Sequence, residues 1–148
     1  MSDYILSRES AVDLTQEHLD RRNISCIPFS YELGGTSYHD DLWQSISSAG
    51  FYQAMVDGAD TRTSQINAAE YESYFARFLE AGRDVLHLCL SSGITGTVNS
   101  ARQAADLVEA RFPKLEGRVE INSIGPTIGS HSGPGTVALF FWGKPREN

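Results

Sequence analysis

Val85-Leu86-His87-Leu88-Cys89-Leu90, followed at once by Ser91-Ser92-Gly93-Ile94-Thr95-Gly96-Thr97, is the stretch that decides the fold class. The first six residues are apolar on both faces of an extended chain. Strands buried on both faces belong to parallel sheets covered by helices. The next seven form a tight, Gly-containing turn. From about Thr97 the apolar positions Ala101, Ala105, Val108 and Phe112 recur at helical spacing, and Pro113 ends the helix. Val119, Ile121 and Ile124 resume a strand, which we expect beside residues 85–90.

The same alternation runs upstream. Asn67 and Glu70 stand at capping-box spacing. After them Tyr71, Tyr74, Phe75, Phe78 and Leu79 make an i, i+3, i+4, i+7, i+8 stripe, and Gly82 closes the helix. Ser47 or Ser48 caps another helix, with Phe51, Tyr52, Met55 and Val56 on one side and Gly58 at its end. Tyr4-Ile5-Leu6 reads as a first strand. Asp13 and Gln16 have capping-box spacing for a short helix carrying Leu14 and Leu19, which stops near Asn23. Cys26-Ile27-Pro28-Phe29 is a strand that its proline assigns to an edge or a strand start. Tyr31-Glu32-Leu33 leads into a Gly34-Gly35 turn. Strands alternating with helices give an α/β fold.

At 148 residues the chain has the length of one domain. Its 41% hydrophobic and 21% charged residues are those of a globular protein, not a disordered one. The longest apolar run, residues 137–142, is far short of the roughly 20 residues of a membrane span. No charged-then-apolar leader precedes the first strand, so we expect no secretion signal and a cytoplasmic protein. Twelve basic against nineteen acidic residues give a charge of −7, and the ten arginines are scattered, which argues against nucleic-acid binding. The two cysteines form no Cys-x-x-Cys, and His18, His39, His87 and His131 lack ligand spacing. We therefore expect no metal site and a reducing compartment.

Three segments could carry chemistry. Thr63-Ser64-Gln65 precedes the Asn67 cap, where hydroxyls and free N–H groups at a helix start suit a carboxylate or phosphate oxygen. Ser91 to Thr97 lies beyond the carboxyl end of the most buried strand, where open parallel sheets bind ligands. It lacks the Gly-Lys-Ser/Thr of a phosphate-binding P-loop. In Gly125-Pro126-Thr127-Ile128-Gly129-Ser130-His131-Ser132-Gly133-Pro134-Gly135, glycines and prolines frame one histidine, orienting it as a hydrogen-bond donor. Each segment also reads as an ordinary cap or turn built from turn-forming residues.

At these segments the sequence resembles the DegV family, the FakB-type bacterial fatty-acid-binding proteins. The family's Thr-Ser-Gln, Ser-Ser-Gly…Gly-Thr and terminal Ile-Gly…His-x-Gly-Pro-Gly motifs stand here as Thr63-Ser64-Gln65, Ser91 to Thr97 and Ile124 to Gly135. The resemblance implies a single unit: a parallel-sheet lobe over residues 1–124, then a Gly-rich hairpin and strand over 125–148, with the family's intervening second lobe mostly missing. It implies a long-chain fatty acid as ligand and no other cofactor, held at Thr63, Ser64, Ser91, Ser92, Gly93 and His131. Its serine contact is either member of the Ser91-Ser92 pair. A partner kinase would phosphorylate the carboxylate, so the chain itself would not be an enzyme. Where the family has Thr-Asp-Ser near the first strand, this chain has Ser7-Arg8-Glu9-Ser10.

Two other readings compete. One is a serine hydrolase with Ser92 as nucleophile and His131 as base, although no acidic residue is evidently placed to orient His131. The other is a shortened scaffold without ligand binding. With little of a second lobe to cover residues 137–142, that strand would leave an apolar edge open, and we expect a homodimer through it.

Overall fold

The computed structural model describes residues 4–12, 14–90, 92, 93 and 95–112, and the backbone of 119–121. Its central sheet is wholly parallel. β1 (Tyr4–Glu9) lies between β2 (Ile24–Ile27) and β6 (Asp84–Leu88), and β7 (Val119–Ile121) extends the sheet beyond β6, in the order β2-β1-β6-β7. The register pairs Leu6 with Ile24 on one side and with Leu86 on the other, and Val85 with Val119. The strand expected over residues 119–124 thus lies where the sequence placed it, over its first three residues. β2 is an edge strand that stops just before Pro28.

A second sheet of three antiparallel strands was not read from the sequence. β3 (Ser30–Leu33) and β4 (Thr36–His39) form a hairpin around Gly34 and Gly35, whose φ angles of 57° and 82° suit a two-residue turn of the primed type. β5 (Thr61–Ser64) pairs with the other side of β3. Thr63-Ser64, expected in a loop, is therefore in a strand. The segment 61–64 is entirely polar and exposed, so apolar alternation could not reveal it.

Two helices cover one face of the parallel sheet. α3 (Ala68–Leu79) begins with the expected capping box: the Asn67 side chain accepts the Glu70 N–H, and the Glu70 carboxylate accepts the Asn67 N–H. Its stripe buries Tyr71, Tyr74, Phe75 and Leu79. α4 (Thr97–Arg111) buries Val98, Ala101, Ala104, Ala105 and Val108, and the last four join Phe75 and Val85 in one cluster. A smaller cluster centred on Leu19, Ile24 and Leu42 joins α1 (Gln16–Arg21) to Leu6, Leu14 and Cys26. α1 is capped by Thr15, whose hydroxyl accepts the His18 N–H, two positions after the expected cap, which lies outside the described residues. A cap must directly precede the first helical turn, and Thr15 holds that position. α2 (Ser48–Val56) starts at Ser47, as expected, but none of its residues is buried.

No helix among the described residues is long and apolar enough to cross a membrane. The expectations for the His131 segment and for the strand at residues 137–142 lie outside the described residues.

Candidate functional site

The antiparallel sheet, α2 and the turn between them enclose a cavity of about 200 Å³, whose lining includes Ser10, Phe29, Tyr31, Trp43, Phe51 and Thr63. Thr63 reaches it because β5 pairs Thr63 with Tyr31 across the sheet. The apolar wall is aromatic. Tyr31 stacks on Tyr38 with ring centroids 5.5 Å apart, and Phe51 meets Tyr31 edge-on at 5.5 Å and Trp43 at 5.8 Å.

Leu42 and Trp43, side by side in this wall, have φ angles of 61° and 69°. Bulky residues seldom take this left-handed conformation, which costs roughly 1–2 kcal/mol each. Asp41 holds the turn. Its carboxylate accepts the N–H groups of Gln44 and Ser45, each at 2.9 Å, and the Ser45 hydroxyl. Burial pushes the Asp41 carboxyl up, but these donors outweigh it and hold it below its ordinary value. Burial, with Asp41 and Asp40 nearby, pushes the Tyr31 phenol up. Asp40 and Asp41 also line the cavity.

Ser92 and Gly93 sit on the exposed turn that leaves the carboxyl end of β6 for α4. The segment around Thr63 and this turn approach each other through Gln65. A Cβ placed on Gly96 would stand 3.1 Å from Gln65 Oε1 and 3.5 Å from its Nε2. Ser64 is exposed and pairs with Ser30 in the sheet. Ser91 and His131 lie outside the described residues.

Sequence reasoning missed a buried polar network behind the turn. It treated Tyr71 and Tyr74 as an apolar stripe and Glu9 as a departure from a motif. Ser7, Glu9 and His87 all point from the sheet into the face covered by α3. Glu9 is 2% exposed; its Oε1 accepts the Tyr71 hydroxyl and its Oε2 the Leu90 N–H, both at 2.7 Å. Burial pushes the Glu9 carboxyl up, but His87, Tyr71 and Leu90 together hold it below its ordinary value.

His87 is wholly buried; its Nδ1 lies 2.8 Å from Ser7 Oγ, and Ser7 Oγ lies 2.6 Å from the Tyr74 hydroxyl. Tyr74 and Arg77 both donate to Ser25 Oγ. That direction leaves the Tyr74 oxygen to accept from Ser7, and the Ser7 oxygen to accept from a hydrogen on His87 Nδ1. His87 Nε2, 3.8 Å from Glu9 Oε1, has no other partner. The sequence signal was present in retrospect: two tyrosines at i, i+3 facing a strand that carries Ser7 and Glu9 at i, i+2.

Glu9, His87 and Cys89 hold ligand-type atoms within 4.8 Å of one another, as a metal would need. Both Glu9 oxygens already accept protein hydrogens, and burial pushes the Cys89 thiol up, which favours the protonated form. We read the three as a packed polar cluster whose carboxylate is already held by Tyr71 and Leu90.

Comparison with known proteins gives a consistent family. The model of the family described as "Uncharacterised protein, DegV family" matches residues 8–114. A DegV domain-containing protein of Staphylococcus aureus is 32% identical over 128 residues, covering 86% of this chain and 45% of the relative. Among solved structures, a stearic-acid-binding protein from Eubacterium ventriosum is 30% identical with a TM-score of 0.68, covering 79% of this chain and 40% of that one. A DegV family protein from Thermus thermophilus, solved for its fatty acid binding, is 30% identical with a TM-score of 0.67, covering 81% and 40%. The chain thus spans less than half the length of each of these proteins.

Proposed function

This chain belongs to the DegV family, and from that premise we propose that it binds a long-chain fatty acid, with the carboxylate at Thr63 and the Ser91-Ser92-Gly93 turn. Ser64 and His131 complete the head-group set. The observation that carries the reading is the position of Thr63, a neutral hydroxyl donor lining a cavity walled by Phe29, Tyr31, Trp43 and Phe51. Aromatic surface suits the start of an acyl chain, and neutral donors suit an oxyanion. Two structural relatives at 30% identity are described as binding fatty acids, which supports the same ligand.

The cavity of about 200 Å³ is smaller than the ~300–1,000 Å³ usual for ligand pockets. It therefore receives the head group and the first part of the chain, and the rest of the tail lies outside it. On this reading the chain is a cytoplasmic binding protein, and a partner kinase phosphorylates the carboxylate it presents. Association of two copies through residues 137–142 belongs to the same reading, and light scattering across a wide concentration range tests it: the mass rises with concentration if two copies pair, and a constant monomer mass removes the pairing.

Native mass spectrometry of the delipidated chain mixed with oleate tests the ligand. One oleate per chain is the expected adduct, reduced by Thr63→Val. Absence of any adduct at micromolar protein, with the fold intact by circular dichroism, rejects the reading in favour of a scaffold that binds no lipid.

A further inference from the structure

Backbone pairing between β1 and β6 ends at Arg8 and Leu88. Two residues later the chain enters the turn that carries Ser92 and Gly93. In that gap a side chain takes over the work of the ladder: the Glu9 carboxylate accepts the Leu90 N–H at 2.7 Å. On the other side of β1 the next residue does the same. The Ser10 N–H donates to the Ile27 carbonyl at 3.1 Å, and Ser10 Oγ accepts the Phe29 N–H at 3.0 Å. Glu9 and Ser10 thus tie the ends of both neighbouring strands, and Ser10 and Phe29 line the cavity.

Stability alone does not account for a carboxylate here. Burying a charge is costly, and replacing a buried ionic group by a well-packed apolar one is often neutral or stabilising. Glu9 is nevertheless given the Tyr71 hydroxyl and sits 3.8 Å from an otherwise unpartnered, fully buried His87 Nε2. His87 is itself fixed through Nδ1 by the Ser7–Tyr74–Ser25 relay. Three elements therefore converge to hold one carboxylate at one backbone amide, immediately before the turn.

We propose that Glu9, buttressed by the Tyr71 hydroxyl, is the positioning residue of the ligand-binding turn: it fixes the Leu90 N–H and thereby the direction in which Ser92 and Gly93 are presented. The proposal rests on the fatty-acid reading of that turn. It gives the Arg8-Glu9-Ser10 segment a role that its departure from the family motif left open.

Three variants of the full chain test it, with native-state hydrogen exchange at Leu90 and calorimetric titration with oleate as readouts. Glu9→Met keeps the bulk and removes both acceptors. It should raise Leu90 exchange at least tenfold relative to Val85 and weaken oleate binding by a similar factor. Glu9→Gln keeps one acceptor oxygen and should restore Leu90 protection, with affinity within about threefold of the unaltered chain. Should Glu9→Met fail to fold, Tyr71→Phe removes one buttress and should shift both readouts in the same direction by a smaller factor. Unchanged Leu90 protection in Glu9→Met, or in Tyr71→Phe where that variant stands in, refutes the clamp. Raised exchange with unchanged oleate affinity refutes the positioning role. If the unaltered chain binds no oleate, the ligand reading fails and the positioning role falls with it, while Leu90 exchange still decides whether the clamp exists.

Discussion

The Gln65 carboxamide lies over Gly96, so close that a methyl group added to Gly96 would stand 3.1 Å from Gln65 Oε1. This contact joins the strand that presents Thr63 to the turn ahead of α4. Gly96 has a φ of −77°, so an alanine there meets no backbone objection. Gly96→Ala should leave the fold intact, displace Gln65 and weaken fatty-acid binding several-fold. In a Gln65→Ala background the same substitution should have little effect. A double-mutant cycle by calorimetry checks this, and additive effects would show that the contact does not couple the two segments.

Glu9 gives the fold an acid-sensitive component. Its folded-state carboxyl lies below the ordinary value of 4.5, so its stabilisation is complete above that value. It is lost as pH falls through the lower, folded-state value. The groups facing it are His87 from β6, Tyr71 from α3, and Cys89 beyond the end of β6. Urea unfolding of the unaltered chain and of Glu9→Gln should show a stability gap at pH 7 that narrows as pH drops below 4.5. A gap independent of pH would contradict an ionised, paired Glu9.

Tyr74→Phe removes the hydroxyl that links Ser7 to Ser25. Leaving buried polar partners unsatisfied costs about 1–3 kcal/mol, and equilibrium unfolding should show a loss in that range. Ring packing against Phe75 and Phe78 is retained, so a much larger loss would point to a rearranged core.

Asn67→Ala removes one half of the α3 capping box. A loss of roughly 1 kcal/mol is expected from caps of this kind. Thermal unfolding of the full chain measures it.

The parallel sheet was legible because its signals are local. Residues 85–90 carry apolar side chains on both faces, and α3 and α4 show unbroken helical periodicity. The antiparallel sheet was not legible: β5 is wholly exposed and polar, and only its pairing with β3 makes it a strand. Thr63, which the sequence singled out through a motif, lines the cavity. The cavity's aromatic wall was only half legible. The helix with Phe51 was expected, but nothing local shows that Leu42 and Trp43 take left-handed backbone to face it. The network around Glu9 was hidden for a third reason. Tyrosines at core spacing look apolar in a pattern, and their hydroxyls acquire partners only when β1 is set beside β6.

On the proposed function, the cavity at Thr63 recognises a carboxylate attached to an acyl chain. Calorimetric titration of the delipidated full chain with oleate and, separately, with oleyl alcohol tests it most directly. A hydrogen bond to a charged group contributes about 1.5–3 kcal/mol, so oleate should bind roughly ten- to hundredfold more tightly than the alcohol. Thr63→Val should remove much of that preference while leaving the alcohol's affinity nearly unchanged. Equal binding of the two ligands, or a preference for oleate that survives Thr63→Val undiminished, would contradict the claim.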